Sequence, residues 1–337
     1  MSHVLIIGGG LAGCTAAKEL SENGVSVTIV ETAGRIGGKV REYGCKATDV
    51  CNNCGVCLTA GLWDKVEHAA NIEILKNSKL IDLTGEKGSF TAAVKQDSNI
   101  KYIKDISNVI VATGFEETVI KGFNGFAELS GKDRVITGSE LEQLLTERTE
   151  KSVSENAAAP PESVAFIQCY GSRDSKENGV YCSKVCCAYS TRAAKVLKHY
   201  YPECKITFYY MELQNVKSGN YYEELTALGM EFIKCRPVEI DGKNGLITFD
   251  NHPAGKREQR QHEVIILTDG IRPAADSGRL AEICGLTQDS TGFLKYTTGP
   301  AEAKQTGIYL AGCAAGPKKI ETAHAEALAA AREIIQA

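Results

Sequence analysis

A glycine-rich loop near the start of the sequence constrains the fold more than any other feature. The apolar run Val4 to Ile7 precedes the loop, and a helical pattern follows it over residues 12–23. The loop has the spacing G-x-G-x-x-G and contains Gly8, Gly10, Leu11, Ala12 and Gly13. A second apolar run, 25–30, then ends at the acidic residue Glu31. This order predicts a strand–loop–helix–strand unit that binds a dinucleotide through these loop residues and Glu31.

The three glycines and the acidic residue have distinct expected roles. Gly8 forms the tight turn, Gly10 lets the backbone approach a pyrophosphate, and Gly13 lets the helix pack closely on the strand. The Glu31 carboxylate is expected to accept hydrogen bonds from the ribose of an adenosine. Both NAD and FAD bind to units of this kind, so other segments must decide between them.

Three further segments favour FAD. They resemble the FAD signatures of flavoproteins with two dinucleotide-binding domains: an Arg-x-Gly-Gly segment, a strand ending in Ala-Thr-Gly, and a C-terminal strand ending in Ala-Gly. Their residues are Arg35, Gly37, Gly38 and Lys39 in the first, Ala112, Thr113 and Gly114 in the second, and Gly312 and Cys313 in the third. The third signature usually has an Asp where this chain has Cys313. Because the three segments agree, we expect FAD.

Four cysteines follow in the middle of the chain, and we call Cys169, Cys182, Cys186 and Cys187 the four-cysteine group. Four thiolates provide one ligand for each iron of a 4Fe–4S cluster. The group lies between a predicted strand and a predicted helix over 186–200, where the helix dipole and free N–H groups favour thiolates. Ser183 is expected to cap that helix. Buried structural cysteines and a zinc site are the alternatives, but zinc sites usually pair their ligands as two closely spaced Cys-x-x-Cys-like units.

Another set of cysteines precedes this group: Cys45, Cys51, Cys54 and Cys57. The spacing of the last three matches the first three ligands of a bacterial ferredoxin segment, with Cys45 or a more distant residue as the fourth. A redox-active disulfide between Cys51 and Cys54 and a zinc knuckle are the competing interpretations. The sequence leaves a second cluster open beside these two.

The composition carries neither a nucleic-acid nor a membrane signal. The 337 residues are 43% hydrophobic with a net charge of −4, so we expect no nucleic-acid partner. No apolar run approaches the length of a membrane span, and the first residues run directly into a strand, so we expect neither a span nor a signal peptide. Thirteen cysteines in such a chain indicate metal or redox chemistry in a reducing compartment, the cytoplasm.

The segments divide into two expected domains. Residues 1–155 and 270–337 form a discontinuous FAD-binding domain, and residues 160–269 form a second Rossmann-like domain with the iron–sulfur site. The Ser-, Ala- and Pro-rich stretch 152–161 is the expected linker. A pyridine-nucleotide reductase of this architecture has a second G-x-G-x-x-G after the first strand of its second domain. Cysteines replace that loop here, so we expect no hydride transfer from NAD(P)H at this place.

The remaining patterns predict further elements. Strands are expected over 164–167, 206–210, 230–233 and 264–267 in the second domain, and antiparallel strands over 72–106 in the first. An Ala-rich helix is expected over 323–335, where its N-terminal dipole would favour an anionic reduced flavin.

The whole chain resembles the A-type subunits of heterodisulfide reductases. The residues that carry the resemblance are 168–169, 171–174, 181–187, 208–211, 310–314 and 316–318. In that family the matching four cysteines bind a 4Fe–4S cluster near FAD in a thioredoxin-reductase-like fold, usually in a homodimer. The chain is similar to the short A-type subunits of sulfur-oxidising heterodisulfide-reductase-like complexes and to the related A-type subunits of the quinone-interacting membrane-bound oxidoreductase. The family's N-terminal Cys-x-x-Cys matches Cys54 and Cys57, and Cys51 is an addition.

Together these features imply an α/β, thioredoxin-reductase-like flavoprotein with two dinucleotide-binding domains, the second modified to hold an iron–sulfur cluster. The resemblance implies an oxidoreductase subunit that links two-electron flavin chemistry to one-electron clusters in sulfur metabolism. It also implies B- and C-type subunits and other electron carriers as partners. A stand-alone disulfide reductase using Cys51 and Cys54 is one alternative. A non-catalytic interaction subunit with structural FAD is the other.

Overall fold

The structure is a computed structural model that describes residues 2–117, 128–130, 134–150, 161–175, 179–214, 221–298, 302–303 and 306–337. The predicted linker 152–161 lies outside the described residues except for its last residue. The strands are β1 His3–Ile7, β2 Ser26–Val30, β3 Ile72–Leu75, β4 Ser78–Thr84, β5 Phe90–Gln96, β6 Asn99–Ile106, β7 Asn108–Val111, β8 Phe115–Glu117, β9 Glu128–Ser130, β10 Val135–Thr137, β11 Ser163–Tyr170, β12 Lys205–Tyr210, β13 Glu231–Lys234, β14 Pro237–Asp241, β15 Leu246–Asn251, β16 Lys256–Gln261, β17 Val264–Asp269, β18 Ile271–Pro273, β19 Tyr296–Thr298, β20 Glu302–Ala303 and β21 Ile308–Leu310. The α-helices are α1 Leu11–Glu22, α2 Leu62–Glu67, α3 Gly138–Glu150, α4 Cys186–Tyr200, α5 Tyr221–Ala227, α6 Ser277–Ile283 and α7 Ile320–Gln336.

The chain forms two compact units. The first contains Met1–Arg41, Gly55–Glu116 and Arg272–Ala337, and the second contains Glu42–Cys54 and Glu117–Ile271. This division differs from the sequence-based one, which assigned residues 42–54 and 117–155 to the first domain. The physical reason for the later segment is that β10 pairs in parallel with β17, inside the sheet of the second unit. Which cofactor each domain carries stays a prediction.

The first unit is built on a sheet with the strand order β19-β20-β21-β7-β1-β2-β3. Its strands from β21 to β3 all run parallel. Strand β1, helix α1 and strand β2 confirm the predicted strand–loop–helix–strand unit. The strand β3 was expected in an antiparallel region, but it joins this parallel sheet beside β2. The antiparallel part of 72–106 is the separate sheet β4-β5-β6.

Successive side chains of the central strand β1 pack alternately into two apolar cores, one on each face of the sheet. Val4 and Ile6 pack with residues of α1, α2 and α7 on one face of the sheet. Leu5 and Ile7 pack on the other face with residues of β5 and α6. This two-residue alternation is the one that a strand covered on both faces requires. The last helix, α7, contains the predicted range 323–335 and buries Ala323, Ala327, Ala330 and Ala331 in the first of these cores.

The second unit has a parallel sheet with the order β10-β17-β11-β12-β13. All four strands predicted for this domain are present, and α4 crosses between β11 and β12 as expected. Val164 and Phe166 of β11 pack towards α4, while Ala165 and Ile167 pack towards β15. A small sheet of β16, β15, β14 and β9 covers this second face, and the sequence analysis did not predict it. Within the described residues, no helix combines the length and the apolar character that crossing a bilayer requires.

A buried histidine lies just before β17. His262 is 5% exposed, and its Nε2 lies 2.9 Å from the hydroxyl of Tyr209. Its Nδ1 is buried and has no hydrogen-bond partner among the described residues. Burial lowers the pKa of His262 from 6.5 to about 4, and the positive charge of Arg260 adds to this effect. The ring is therefore neutral in the folded protein near neutral pH.

We expect His262 to make the folded protein less stable as the pH falls from about 6.5 towards 4. In this range the unfolded chain binds a proton that the buried ring does not, so protons favour unfolding. The loss between pH 7 and pH 5 is on the order of 2 kcal/mol. In denaturant titrations at both pH values, His262→Gln should show a weaker pH dependence than the wild type. His252→Gln, at an exposed position, is the control, and equal pH dependence in all three proteins would contradict the assignment.

Candidate functional site

Four parallel strands of the first unit end side by side at one edge of the sheet. In the ladder Ile7 lies opposite Val30 and Val111, and Val111 lies opposite Leu310. The glycine loop, Glu31 and the second and third predicted FAD segments follow directly after these residues. In open α/β sheets ligands bind at the carboxyl ends of the strands. The sheet therefore brings separated predicted segments to one place.

The glycines of the first loop have the geometry that their expected roles require. Gly8 has a φ of +103°, and a Cβ there would lie 2.5 Å from the carbonyl oxygen of Ala112. A Cβ at Gly13 would lie 1.9 Å from the carbonyl oxygen of Gly8, so only glycine lets α1 contact the loop. No described atom lies within 4 Å of the position that a Cβ at Gly10 would take. Packing therefore does not explain glycine at position 10, and open space remains there for a ligand.

The Arg-x-Gly-Gly segment lies against this loop. The N–H of Gly37 donates to the carbonyl oxygen of Gly9 at 2.7 Å. A Cβ at Gly38 would lie 3.1 Å from the Cα of Gly10. Both Gly37 and Gly38 have positive φ, which glycine adopts at little cost. Of the flanking charged residues, Lys39 places its Nζ 5.5 Å from the centre of the Phe115 ring.

Glu31 also helps to fix the loop. Its Oε2 accepts a hydrogen bond from the N–H of Gly9 at 2.7 Å, and its Oε1 accepts one from the N–H of Ala33 at 2.7 Å. These bonds order the start of the glycine loop, which the sequence analysis did not foresee. The expected contact of Glu31 with a ribose stays a prediction.

The third predicted segment is held by Lys318, which the sequence analysis named only as part of the family resemblance. Gly312 has a φ of +68°, and a Cβ there would lie 2.9 Å from the Cβ of Ala12. The Nζ of Lys318 donates to the carbonyl oxygens of Gly312 and Ala315, each at 3.0 Å. Cys313 is buried, and burial raises the pKa of its thiol to about 11. A neutral thiol therefore stands where the family signature has a carboxylate.

In the second unit, the four-cysteine group lies at the junction between β11 and α4. Cys169 lies near the end of β11, where the ladder with β17 shifts register between Ile167 and Tyr170. Cys186 and Cys187 are the first two residues of α4, which confirms the predicted start of this helix. Three members of the group are buried and Cys182 is half-buried. The junction is the place where a dinucleotide-binding domain has its glycine loop.

Backbone strain is concentrated at this junction. In the described part of the chain, the non-glycine residues with positive φ other than Asn and Asp are Cys169 at +64°, Arg173 at +55° and Lys184 at +60°. Such residues cost free energy and persist where the surrounding structure fixes them, often at functional sites. Their positions indicate that the segment is shaped to place its sulfur atoms.

Backbone N–H groups point at two sulfur atoms of the group. The N–H of Lys184 lies 3.3 Å from the Sγ of Cys182, and the N–H of Gln214 lies 3.5 Å from the Sγ of Cys187. Hydrogen bonds to sulfur are a feature by which proteins tune iron–sulfur clusters. The expected cap by Ser183 is wrong, because its hydroxyl instead accepts the N–H of Ile271 at 2.9 Å.

Burial keeps these thiols protonated when no cation is present. It raises the pKa of Cys169 to about 11, and the neighbouring thiols of the group add to this effect. Burial also raises the pKa of Cys186 and Cys187. Bound iron would reverse this balance, because coordination favours the thiolate.

The four-cysteine group differs from a site for a single metal ion. Among the described residues, no three His, Cys, Asp or Glu side chains lie close enough together to hold a single metal ion. A 4Fe–4S cluster requires a wider arrangement, because each thiolate binds a different iron. The strained junction, the three buried sulfur atoms and the N–H groups directed at two sulfur atoms match the surroundings of such a cluster.

A polar network beside the group was not predicted. Asp269 ends β17 and lies opposite Tyr170 in the ladder. Its carboxylate accepts hydrogen bonds from Ser139 at 2.8 Å and Tyr189 at 3.1 Å, and its carbonyl oxygen lies 3.8 Å from the Sγ of Cys186. Burial raises the pKa of Asp269, and the bond from Ser139 opposes this shift. The signal in the sequence was an acidic residue at the end of a buried strand.

The four cysteines that precede this group in the chain are divided between the two units. Cys45, Cys51 and Cys54 belong to the second unit, and Cys57 belongs to the first. Cys45, Cys51 and Cys57 are exposed and Cys54 is half-buried. Their expected role in a second cluster stays a prediction.

Comparison with known structures establishes the fold. A thioredoxin reductase of T. acidophilum aligns with a TM-score of 0.65 and 17% identity over 100% of this chain and 99% of that one. The Lactococcus lactis thioredoxin reductase gives a TM-score of 0.64 and 16% identity, covering 100% and 98%. The predicted α/β, thioredoxin-reductase-like fold with two dinucleotide-binding domains is confirmed.

Comparison of sequences identifies relatives. The profile of the pyridine nucleotide-disulphide oxidoreductase family matches residues 2–153. The A-type subunit of the ferredoxin:CoB-CoM heterodisulfide reductase of Methanosarcina mazei is 26% identical over 99% of this chain and 53% of the relative. The A-type iron-sulfur subunit of the CoB–CoM heterodisulfide reductase of Methanocaldococcus jannaschii is 25% identical over 98% and 63%. The chain is homologous to the A-type subunits of heterodisulfide reductases. It spans only about half of the first of these two relatives and less than two thirds of the second.

Proposed function

We propose that this protein is an electron-transfer subunit that binds FAD in its first unit and a 4Fe–4S cluster in its second. The observation that carries the proposal is the four-cysteine group at the junction of β11 and α4. This junction is the usual place of a nicotinamide-binding loop in the fold. The homologous protein from Methanocaldococcus jannaschii is named an iron-sulfur subunit, which supports the same assignment.

The FAD assignment is supported by the sheet edge of the first unit. Gly10 leaves open space at the N-terminus of α1, where backbone N–H groups favour a pyrophosphate. Glu31 and the segment that contains Gly37 and Gly38 lie directly beside it. The loop residues, Glu31 and Arg35–Lys39 would hold the adenosine and pyrophosphate end, and 112–114 with 312–313 would lie near the rest of the cofactor.

The cluster assignment gives the second unit its role. Cys169, Cys182, Cys186 and Cys187 would each bind one iron. When bound, FAD exchanges two electrons and the cluster exchanges one at a time, which makes the protein a converter between the two modes. The residues of this chain hold the sulfur ligands, exclude water from three of them, and direct N–H groups at two of them.

The two alternatives are less well supported. A stand-alone disulfide reductase would require a nicotinamide site, and cysteine residues occupy its usual place. An interaction subunit with structural FAD does not explain the strained backbone around Cys169 and Lys184. We therefore favour electron transfer within a heterodisulfide-reductase-like complex of sulfur metabolism.

The proposal extends to partners and location. The homologues are subunits of heterodisulfide reductases, so B- and C-type subunits and other electron carriers are the partners that we propose. We also propose a homodimer, and the thirteen cysteines favour a reducing compartment such as the cytoplasm.

The proposed function predicts a specific preference for electron donors. NADH and NADPH should reduce the flavin of the purified protein only slowly, whereas a low-potential one-electron donor should reduce it rapidly and reversibly. Flavin absorbance after anaerobic mixing measures both. Rapid bleaching by NADH or NADPH would favour the stand-alone reductase, and no reduction by either type of donor would favour structural FAD.

A substitution at Gly10 tests the location of FAD. Gly10→Val should give protein that folds but lacks flavin, because the added side chain would occupy the space for the pyrophosphate without meeting other described atoms at its Cβ. Flavin per protein, with circular dichroism as a check of folding, measures the effect. Gly278→Ala is the control, since its Cβ would make only an ordinary contact with Gln288. A full flavin content in Gly10→Val would contradict this placement.

Substitution of the adjacent cysteines tests the cluster. Cys187→Ala should retain flavin but lose about one cluster of iron, because a cluster with three ligands exposes an iron. Cys186→Ala should behave in the same way. Iron and sulfide per FAD on anaerobically purified proteins measure both. Full iron in Cys187→Ala beside depleted iron in Cys186→Ala would make Cys187 a packing residue and would point to another ligand.

A further inference from the structure

The segment Glu42–Cys54 belongs to the second unit although it follows the first FAD signatures in the chain. We call it the cysteine loop, because it contains Cys45, Cys51 and Cys54. Cys54 matches the first cysteine of the family's Cys-x-x-Cys, but the proposed function gives none of the three residues a role. The contacts that hold the loop, and the surroundings of its sulfur atoms, indicate what it does.

The first half of the cysteine loop is fixed to helix α3. The N–H of Gly44 donates to the Oγ1 of Thr146 at 2.7 Å. Lys46 is 3% exposed, and its ammonium group forms an ion pair with the buried carboxylate of Glu142 at 2.5 Å. A buried lysine is costly unless it is paired, so this pair specifies one position for the loop.

The second half of the loop is fixed to helix α4. The Nε of Arg192 donates to the carbonyl oxygen of Asn52 at 2.9 Å, and its Nη2 donates to that of Asn53 at 2.7 Å. Asn52 and Asn53 are the two residues between Cys51 and Cys54. The guanidinium fork of Arg192 therefore holds the backbone that separates these two thiols. The same helix begins with Cys186 and Cys187 of the four-cysteine group.

The sulfur atoms of the loop receive hydrogen bonds of the kind seen at the four-cysteine group. The N–H of Asn53 lies 3.4 Å from the Sγ of Cys51, and the N–H of Lys184 lies 3.3 Å from the Sγ of Cys182. In both cases the donor is two residues after the cysteine and has a left-handed φ, +49° for Asn53 and +60° for Lys184. A third bond of this spacing joins the N–H of Ala47 to the Sγ of Cys45 at 3.4 Å. An N–H donor stabilises a thiolate more than a thiol.

Packing does not account for these cysteines. A cysteine that serves only as a small apolar residue is usually buried. Cys45 and Cys51 are exposed and Cys54 is half-buried, unlike the buried Cys284 that follows helix α6. Exposed thiols on a fixed backbone, two of them with a directed N–H group, have the surroundings of ligands.

We propose that Cys45, Cys51 and Cys54 are ligands of a second iron–sulfur cluster, each thiolate on a different iron, on the same unit as the four-cysteine group. The Cys-x2-Cys spacing, which continues in the chain to Cys57, makes an iron–sulfur cluster the expected type. The loop is held against the helix that begins with Cys186, so this centre would exchange electrons with the first cluster. Only that last step rests on the proposed function.

Metal analysis of the full-length protein, purified without oxygen, tests this proposal. The wild type should contain about eight irons per FAD, which corresponds to two clusters. Cys51→Ala and Cys54→Ala should each lose about half of the iron and keep their flavin, and Cys187→Ala should lose the other half. Cys284→Ala, at a buried cysteine outside both groups, should keep all of it. Arg192→Met should keep the first cluster but lose iron of the second to a chelator faster than the wild type.

The outcomes separate this proposal from the proposed function. Wild-type iron in Cys51→Ala and Cys54→Ala, with depletion in Cys187→Ala, would overturn the second centre and leave the first intact. Full iron in both Cys186→Ala and Cys187→Ala, with depletion in Cys51→Ala, would support the second centre and overturn the first. Loss of one zinc instead of iron from Cys51→Ala would overturn the iron–sulfur type.

Discussion

Sulfur atoms buried at one strand–helix junction impose the main electrostatic constraint on the chemistry of the second unit. Removing Cys169, Cys186 and Cys187 from water raises the pKa of each thiol, so none of them becomes a thiolate easily on its own. In the proposed cluster, iron would supply the positive charge that makes the buried thiolates favourable. Assembly of the proposed cluster would therefore be coupled to the folding of this junction, as in other metal sites whose ligands meet only in the folded chain. Metal–ligand bonds would also compensate for the strained backbone at Cys169 and Lys184.

The place of this junction determines what the fold can do with electrons. In both units a parallel strand of the central sheet is followed by a loop and a helix, and ligands of such sheets bind at that point. In the first unit the loop is glycine-rich, and its backbone can approach a pyrophosphate. In the second unit the corresponding point carries Cys169 at the end of β11 and Cys186 at the start of α4. In the function that we propose, one architecture would thus hold a two-electron cofactor in one unit and a one-electron centre in the other.

Local patterns predicted much of this arrangement, and contacts between distant segments decided the rest. The strands β1, β2, β11, β12 and β17 follow from buried β-branched runs, and the glycine loop follows from its spacing. The hydroxyl of Ser183 was misassigned because a cap and a bond to the distant N–H of Ile271 look the same in sequence. The network of Asp269 with Ser139 and Tyr189 was missed because its members are far apart in the chain. A pattern shows which residues bear chemistry, but pairing across the fold decides which of them meet.

The cysteine loop shows why chain order is a poor guide to function in a discontinuous fold. Residues 42–54 lie between two segments of the first unit, so sequence alone places their cysteines beside the flavin signatures. The buried pair of Lys46 and Glu142 and the fork of Arg192 instead hold them to helices of the second unit. If the loop shifted by one residue, Lys46 would lose its partner away from water, and Arg192 would lose its hydrogen bonds to two successive carbonyl oxygens. Both contacts would then stabilise the loop much less. Such contacts specify the position of the loop. They hold its thiols beside the helix that begins with two cysteines of the four-cysteine group. Metal binding of the kind proposed for that group would explain why the thiols are held there.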